Sequence, residues 1–230
     1  MPCLERIDPM PRIVPALIAL AVACMPLAAN AGPPAWRAKV ETFAATHFKH
    51  TAWGFAHSRR DYALASALAA EDHATVDDDV LYAAAMLHDI AAFAPWEDAK
   101  KDHADRAVEL LPAVLRDAGF PEAKIPAVLE ATRTHMFDRK PVAPEAVYLH
   151  DADALDWLGA IGIYRLVSLV DANGGQPDGA ATVGQLRTFL AAVPAGVVGP
   201  AAKRALPGRE AWLKSFLETL GAESDGMKQL

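Results

Sequence analysis

Eight consecutive apolar residues, Val80-Leu81-Tyr82-Ala83-Ala84-Ala85-Met86-Leu87, run directly into His88-Asp89. A helix that is apolar all round has to be buried all round. The pattern predicts a core helix over 80–92, closed by Pro95 and entered from the polar stretch 75–79, whose acids meet the positive end of the helix dipole. The informative point is its C-terminal end. A carboxylate buried there loses its hydration, at a penalty on the order of several kcal/mol unless something compensates. A cation would compensate, and the adjacent imidazole adds a nitrogen donor. Neighbouring residues on a helix point about 100° apart, so both can grip an ion lying between them.

The remaining segments read as helix too: 33–48 after a Pro-Pro entry, 55–70, 103–118, 125–135, and 144–170, which begins with Pro at a first-turn position and is the longest candidate. Gly174-Gly175-Gln176-Pro177 reads as a loop, followed by helices over 183–192 and 210–220. Alanine enriches these segments and loses no side-chain entropy in a helix. No strand periodicity and no internal repeat stands out. A chain of 230 residues with 53% hydrophobic content fits one domain with extra helices. The expected fold class is all-α, a helical bundle with irregular crossings and additional C-terminal helices.

Two further features sit on apolar helices. Asp151-Ala152-Asp153-Ala154-Leu155-Asp156 places Asp153 and Asp156 on one face of the 144–170 segment, with Asp151 pointing away. The apolar continuation Trp157 to Gly162 makes that segment a core element, so at least one acid faces something polar and internal; Gly159 and Gly162 would let another helix come close. His57 opens an amphipathic helix in His57-Ser58-Arg59-Arg60. Taken singly, a His-Asp pair is more often a local hydrogen bond and an acid cluster a solvated face. Together, a His, a His-Asp and an Asp on three apolar helices point to a metal site. Both cysteines, Cys3 and Cys24, lie near the N-terminus, so the body of the chain has no thiol. Structural disulfides, Cys-ligated zinc and a cysteine nucleophile are excluded there.

The formal charge of −7, with no long run of Lys and Arg, argues against a nucleic-acid partner. A small anionic substrate stays compatible if a metal reverses the charge locally. Residues 1–31 have the layout of an export signal, with Met10 an alternative start: Arg12, the apolar stretch from Ile13 to Ala28, then Ala29-Asn30-Ala31. A retained membrane anchor is the lesser alternative, because Pro15 and Pro26 interrupt a run that is short for a bilayer span. Lipid attachment at Cys24 is another, and lacks the usual Leu. The expectation is an exported, periplasmic protein with no stable membrane insertion once the signal is removed. The oligomeric state is not legible.

The order His57-x-x-Arg60, Leu87-His88-Asp89 and Asp151-Ala152-Asp153-Ala154-Leu155-Asp156, continued by Gly159-Ala160-Ile161-Gly162-Ile163, resembles the HD-domain superfamily of metal-dependent phosphohydrolases. The resemblance covers about 53–170 and implies an HD-type bundle with 171–230 as a C-terminal extension of a single domain over 32–230. It implies that His57, His88, Asp89 and Asp153 bind a divalent metal, with Asp151 the alternative for the last ligand. His103 and His135 fall where two-metal members place additional ligands; otherwise His103 caps its helix and His135 is a satisfied surface histidine. Asp61 departs from the pattern, standing where an aliphatic residue is usual. The Gly-Tyr-Pro extension of cyclic-dinucleotide enzymes is absent. His47, His50, His73 and His150 fit no pattern and read as structural or exposed.

With nitrogen and oxygen donors only, Mn, Fe, Zn, Ni, Co and Mg all fit. The implied function is a metal-dependent phosphohydrolase that activates water against a small phosphoester. Arg60 and Arg165 are candidates for phosphate recognition, against surface ion pairs, and Asp156 for orienting a ligand or accepting a proton. Two rivals remain: a di-iron oxygenase of the same superfamily, and a non-catalytic exported protein whose metal only holds helices together.

Overall fold

The apolar octet becomes α3 (Asp78–Leu87), and every residue from Val80 to Leu87 is buried in this computed structural model, which describes residues 33–169 and 179–228. The region read as an export signal and the 174–177 loop lie outside the described residues. Asp77 caps α3, its side chain accepting from the backbone N–H of Asp79 and Val80 at 3.0 and 3.3 Å. Lys124 closes over the same end, 2.9 Å from Asp77 and 2.8 Å from Asp79.

The helix expected over 80–92 ends at Leu87. His88 Nδ1 donates to the Ala85 carbonyl at 2.9 Å, which satisfies a last-turn acceptor the helix leaves open. The chain then passes through Asp89 into a short 3-10 turn, Ile90–Ala92. Pro95 comes too late to be the terminator. The outcome is that His88 and Asp89 stand at the mouth of a buried helix instead of along its side.

Around α3 pack α1 (Ala35–His47), α2 (Phe55–Glu71), α5 (Ile125–Arg133) and α6 (Pro144–Asp156); α4 (His103–Ala118) packs on α5 and on the Ile90–Ala92 turn. Asp102 caps α4 by accepting from Ala104 and Asp105 N–H, and Gly119, left-handed at φ +85°, ends it.

The single helix expected over 144–170 is two, α6 and α7 (Gly159–Val167). Gly159 takes φ +67°, a conformation that lets the chain turn sharply after Leu158. Gly162 then passes so close to the end of α6 that a Cβ on it would lie 2.2 Å from the Trp157 carbonyl oxygen. Arg209 donates at 2.7 Å to the Leu155 carbonyl, which also accepts from Leu158 N–H at 3.1 Å. Arg209 belongs to α9 (Pro200–Glu223), which packs with α8 (Gly179–Gly196) against α6 and α7. Both C-terminal helices run longer than the 183–192 and 210–220 expected. Pro207-Gly208 does not stop α9, whose first turn is fastened to α2: Ala201 N–H donates to Asp72 at 3.0 Å, and Arg204 reaches Glu71 and Asp72. All regular elements among the described residues are helical, and none is long and apolar enough to cross a membrane.

Candidate metal centre

Six elements or their ends deliver side chains to one buried point. α2 supplies His57, Arg60 and Asp61; the exit of α3 supplies His88 and Asp89; α4 begins with His103; His135 follows α5; α6 carries Asp153 and Asp156; α7 carries Arg165. At a first position, His57 Nε2 lies 3.3 Å from His88 Nε2, 3.4 Å from Asp153 Oδ1 and 3.6 Å from Asp89 Oδ2. His88 Nε2 is 3.3 Å from the same Asp89 oxygen. Donors about 2.1 Å from one ion and at right angles stand roughly 3 Å apart, so these spacings suit a shared cation.

Asp89 faces both ways. Its Oδ1 is 3.6 Å from His103 Nε2 and 3.7 Å from His135 Nε2, and those two nitrogens are 3.3 Å apart. A second position therefore adjoins the first, with Asp89 between them. Asp102, not His103, is the cap of α4. His135 is buried, not on the surface, and its Nδ1 donates to the Thr132 carbonyl at 2.7 Å.

The outer hydrogen bonds explain why the Nε2 atoms converge. His57 Nδ1 donates to Asp156 Oδ2 at 2.9 Å, His88 Nδ1 to Ala85 and His135 Nδ1 to Thr132, which leaves each Nε2 lone pair directed inward. Asp156 also accepts from Arg60 Nε and Nη2 at 3.1 and 2.8 Å and from Arg165 Nη1 at 3.1 Å. The structure thus commits Arg60, considered above for phosphate, to Asp156. A carboxylate so fully engaged positions His57; it does not take up protons. Arg165 is buried, donates from Nε to the Ala52 carbonyl at 2.7 Å and lies 3.5 Å over the Trp157 ring. It forms one wall of a cavity of about 230 Å³ with Trp53, Asp89, His103, Asp153 and Trp157.

Asp151 is elsewhere. Its carboxylate accepts from Val198 and Gly199 N–H at 2.9 and 2.5 Å, ahead of α9, and from His150 Nδ1 at 3.0 Å. Asp61 is the site residue least legible from sequence. It is buried, with Oδ2 3.1 Å from His57 Nε2 and 3.8 Å from His88 Nε2, and it joins His57, His88 and Asp153 in one group of potential donors. The only signal was its place one helical turn after His57, which puts both on one face.

Residues 54–158 match the HD domain family. Over that segment the chain is similar to HD domains. Its fold is similar to that of several solved structures. YpgQ from Bacillus subtilis, in complex with ADP, shows 20% identity at a TM-score of 0.65 over 84% of this chain and 100% of its own. A Lactobacillus plantarum protein shows 21% identity at 0.63, covering 84% and 98%. A predicted HD superfamily hydrolase from an uncultured Thermotogales bacterium shows 24% identity at 0.57, covering 81% and 90%. No curated protein matches the chain.

Within this cluster, burial works against charge on His57, and Arg165 adds to that, yet Asp153 and Asp156 outweigh both and hold its pKa above the ordinary value. His88 is raised in the same way, against burial, by Asp89. Burial would push the Asp89 carboxyl up, but His88, His135 and His57 hold it well below the usual range. Burial, with the neighbouring His88, brings His135 down to about 4, so it is neutral and able to act as a donor at physiological pH. Raised pKa values mean that metal-free His57 and His88 keep protons into the neutral range, and metal binding must displace them. Metal affinity is therefore expected to rise as pH rises from about 6 to about 8, by up to about tenfold per unit for each displaced proton. Competition with a chromogenic chelator across that range checks this; a pH-independent affinity would contradict it.

Proposed function

We propose that the HD domain is a metal-dependent phosphohydrolase for a small phosphoester, working with ions at both positions and Asp89 shared between them. The observation that carries the reading is the division of Asp89, one oxygen toward His57 and His88 and the other toward His103 and His135, at the floor of a cavity walled by Arg165. The donor set fits divalent cations: imidazole and carboxylate only, with the imidazoles oriented from outside. Bound metal would supply a water of lowered pKa and neutralise phosphate charge. The chain's own part is to orient and to exclude. Asp156 fixes the His57 tautomer, Arg165 adds a fixed positive charge beside Asp153, and Trp53 and Trp157 supply apolar walls to the cavity.

A cavity of about 230 Å³ is below the roughly 300–1,000 Å³ of sites for drug-sized ligands, which favours a small substrate. A nucleoside diphosphate such as the one bound to YpgQ would extend beyond it. The His103 side chain is 33% exposed at the cavity, which favours an open, reactive site over a sealed structural one.

The test is phosphate release from a panel of small phosphomonoesters and nucleotides, with chelator-stripped protein reloaded with Mn, Fe, Zn, Ni, Co or Mg and assayed in parallel without oxygen and in air. Release that depends on added metal and needs no oxygen is the expected result. Turnover confined to the iron-loaded protein and accompanied by oxygen uptake would replace the hydrolase with the oxygenase, since the same six donors suit two irons. Folded, loaded protein that turns over nothing would leave a structural metal.

A further inference from the structure

We propose that Asp61 is itself a metal ligand at the first position, which raises its donor set to two imidazole nitrogens and three carboxylates. The inference rests on the reading of this cluster as a metal centre.

Asp61 lies one turn beyond His57 on α2, is wholly buried, and neither of its oxygens accepts a hydrogen bond. Asp156, close by, collects donors from Arg60, Arg165 and His57; Asp61 receives none of them. A buried carboxyl without hydrogen bonds is unfavourable whether charged or neutral, and a cation at the site would relieve it. Its Oδ2 is aimed at the two nitrogens that face the first position, 3.1 Å from His57 Nε2 and 3.8 Å from His88 Nε2. His57 Nε2 consequently has four candidate partners between 3.1 and 3.6 Å: Asp61, His88, Asp153 and Asp89. Such spacings suit neighbouring donors on one ion of five or six coordination.

Two consequences follow from the chemistry. A third carboxylate hardens the site, shifting preference toward Mn(II) and Mg(II) and away from Zn(II), which is content with four donors. It also leaves few exchangeable positions at the first ion, whereas the second is held by His103, His135 and one Asp89 oxygen. The cavity is lined by Asp153 of the first position, His103 of the second and the shared Asp89, so substrate reaches both positions from it. The competing explanation for Asp61 is an ion pair with a protonated His57 in the metal-free protein.

The experiment uses the metal-stripped chain as wild type, Asp61→Asn and Asp61→Val, with Mn(II) and Zn(II) as separate probes. Chelator competition gives the affinities, and thermal melting is recorded with and without metal. Ligation by Asp61 is expected to appear as a loss of Mn(II) affinity of about tenfold or more in both variants. Zn(II) affinity should fall less, so the Mn/Zn preference declines. Stripped Asp61→Val should melt no lower than stripped wild type, because the variant no longer buries a polar group whose oxygens lack hydrogen bonds, while its metal-induced rise in melting temperature shrinks. Unchanged Mn(II) affinity in both variants, or stripped variants that melt lower or fail to fold, would overturn the inference and leave Asp61 as a partner of His57. Wild type that takes up neither ion would instead remove the metal-centre reading, and this inference with it.

Discussion

Asp89→Ala is expected to lose metal from both positions at once, whereas His135→Ala should lose it from the second alone. The difference follows from geometry: one Asp89 oxygen faces His57 and His88 and the other faces His103 and His135, while His135 serves only the second group. Losing water activation and charge neutralisation together removes several kcal/mol of transition-state stabilisation, so turnover should fall on the order of 10³-fold or more in Asp89→Ala. Elemental analysis per chain, read beside circular dichroism, checks the prediction. If Asp89→Ala keeps wild-type stoichiometry at both positions, Asp89 is not the shared ligand. Truncating it takes no hydrophobic surface from the core, so helix content should be preserved.

The largest effect on stability is expected from Arg165→Met. The guanidinium is buried and does three things at once: it donates to the Ala52 carbonyl, it donates to Asp156, and it stacks on Trp157. Methionine matches much of the side-chain volume but leaves a buried carbonyl unpaired and a buried carboxylate short of one cation. A loss of about 3 kcal/mol is expected, which for a domain of this size lowers the melting temperature by roughly 6–12 °C. Urea denaturation gives the free energy directly. Arg165→Lys should recover only part of it, because an ammonium cannot reproduce the planar fork that serves Ala52 and Asp156 together. A change within about 0.5 kcal/mol would mean that Arg60 and His57 hold Asp156 unaided.

The fold class was legible because helical periodicity is local: an apolar octet, an acidic entry and a proline at a first turn each declare a helix within a few residues. His103–Ala118 is the clearest case, bounded by a capping aspartate and a left-handed glycine that both stand in the sequence. Where helices stop was less legible when the stop is set from afar. The break between α6 and α7 is held by Arg209, some fifty residues on, and α9, anchored on Asp72 at its first turn, runs on through Pro207-Gly208. Periodicity carries no record of either contact.

The candidate site divides in the same way. The sequence by itself determined which side chains were chemically able to meet: His57, His88, Asp89 and Asp153 on apolar helices, with no thiol to compete. It also determined that His103 and His135 lay within reach of two different roles. Only the tertiary structure decided that His135 is buried beside Asp89, that Asp151 turns away to the N–H groups of Val198 and Gly199, that Arg60 holds Asp156, and that Asp61 joins His57. Residue type and spacing specify what a side chain can do and which face of its own helix it occupies. Which atoms converge depends on how helices far apart in the chain pack: His57 and Asp156 are 99 residues apart yet 2.9 Å from one another, a distance set by the burial of α3 between α2, α5 and α6.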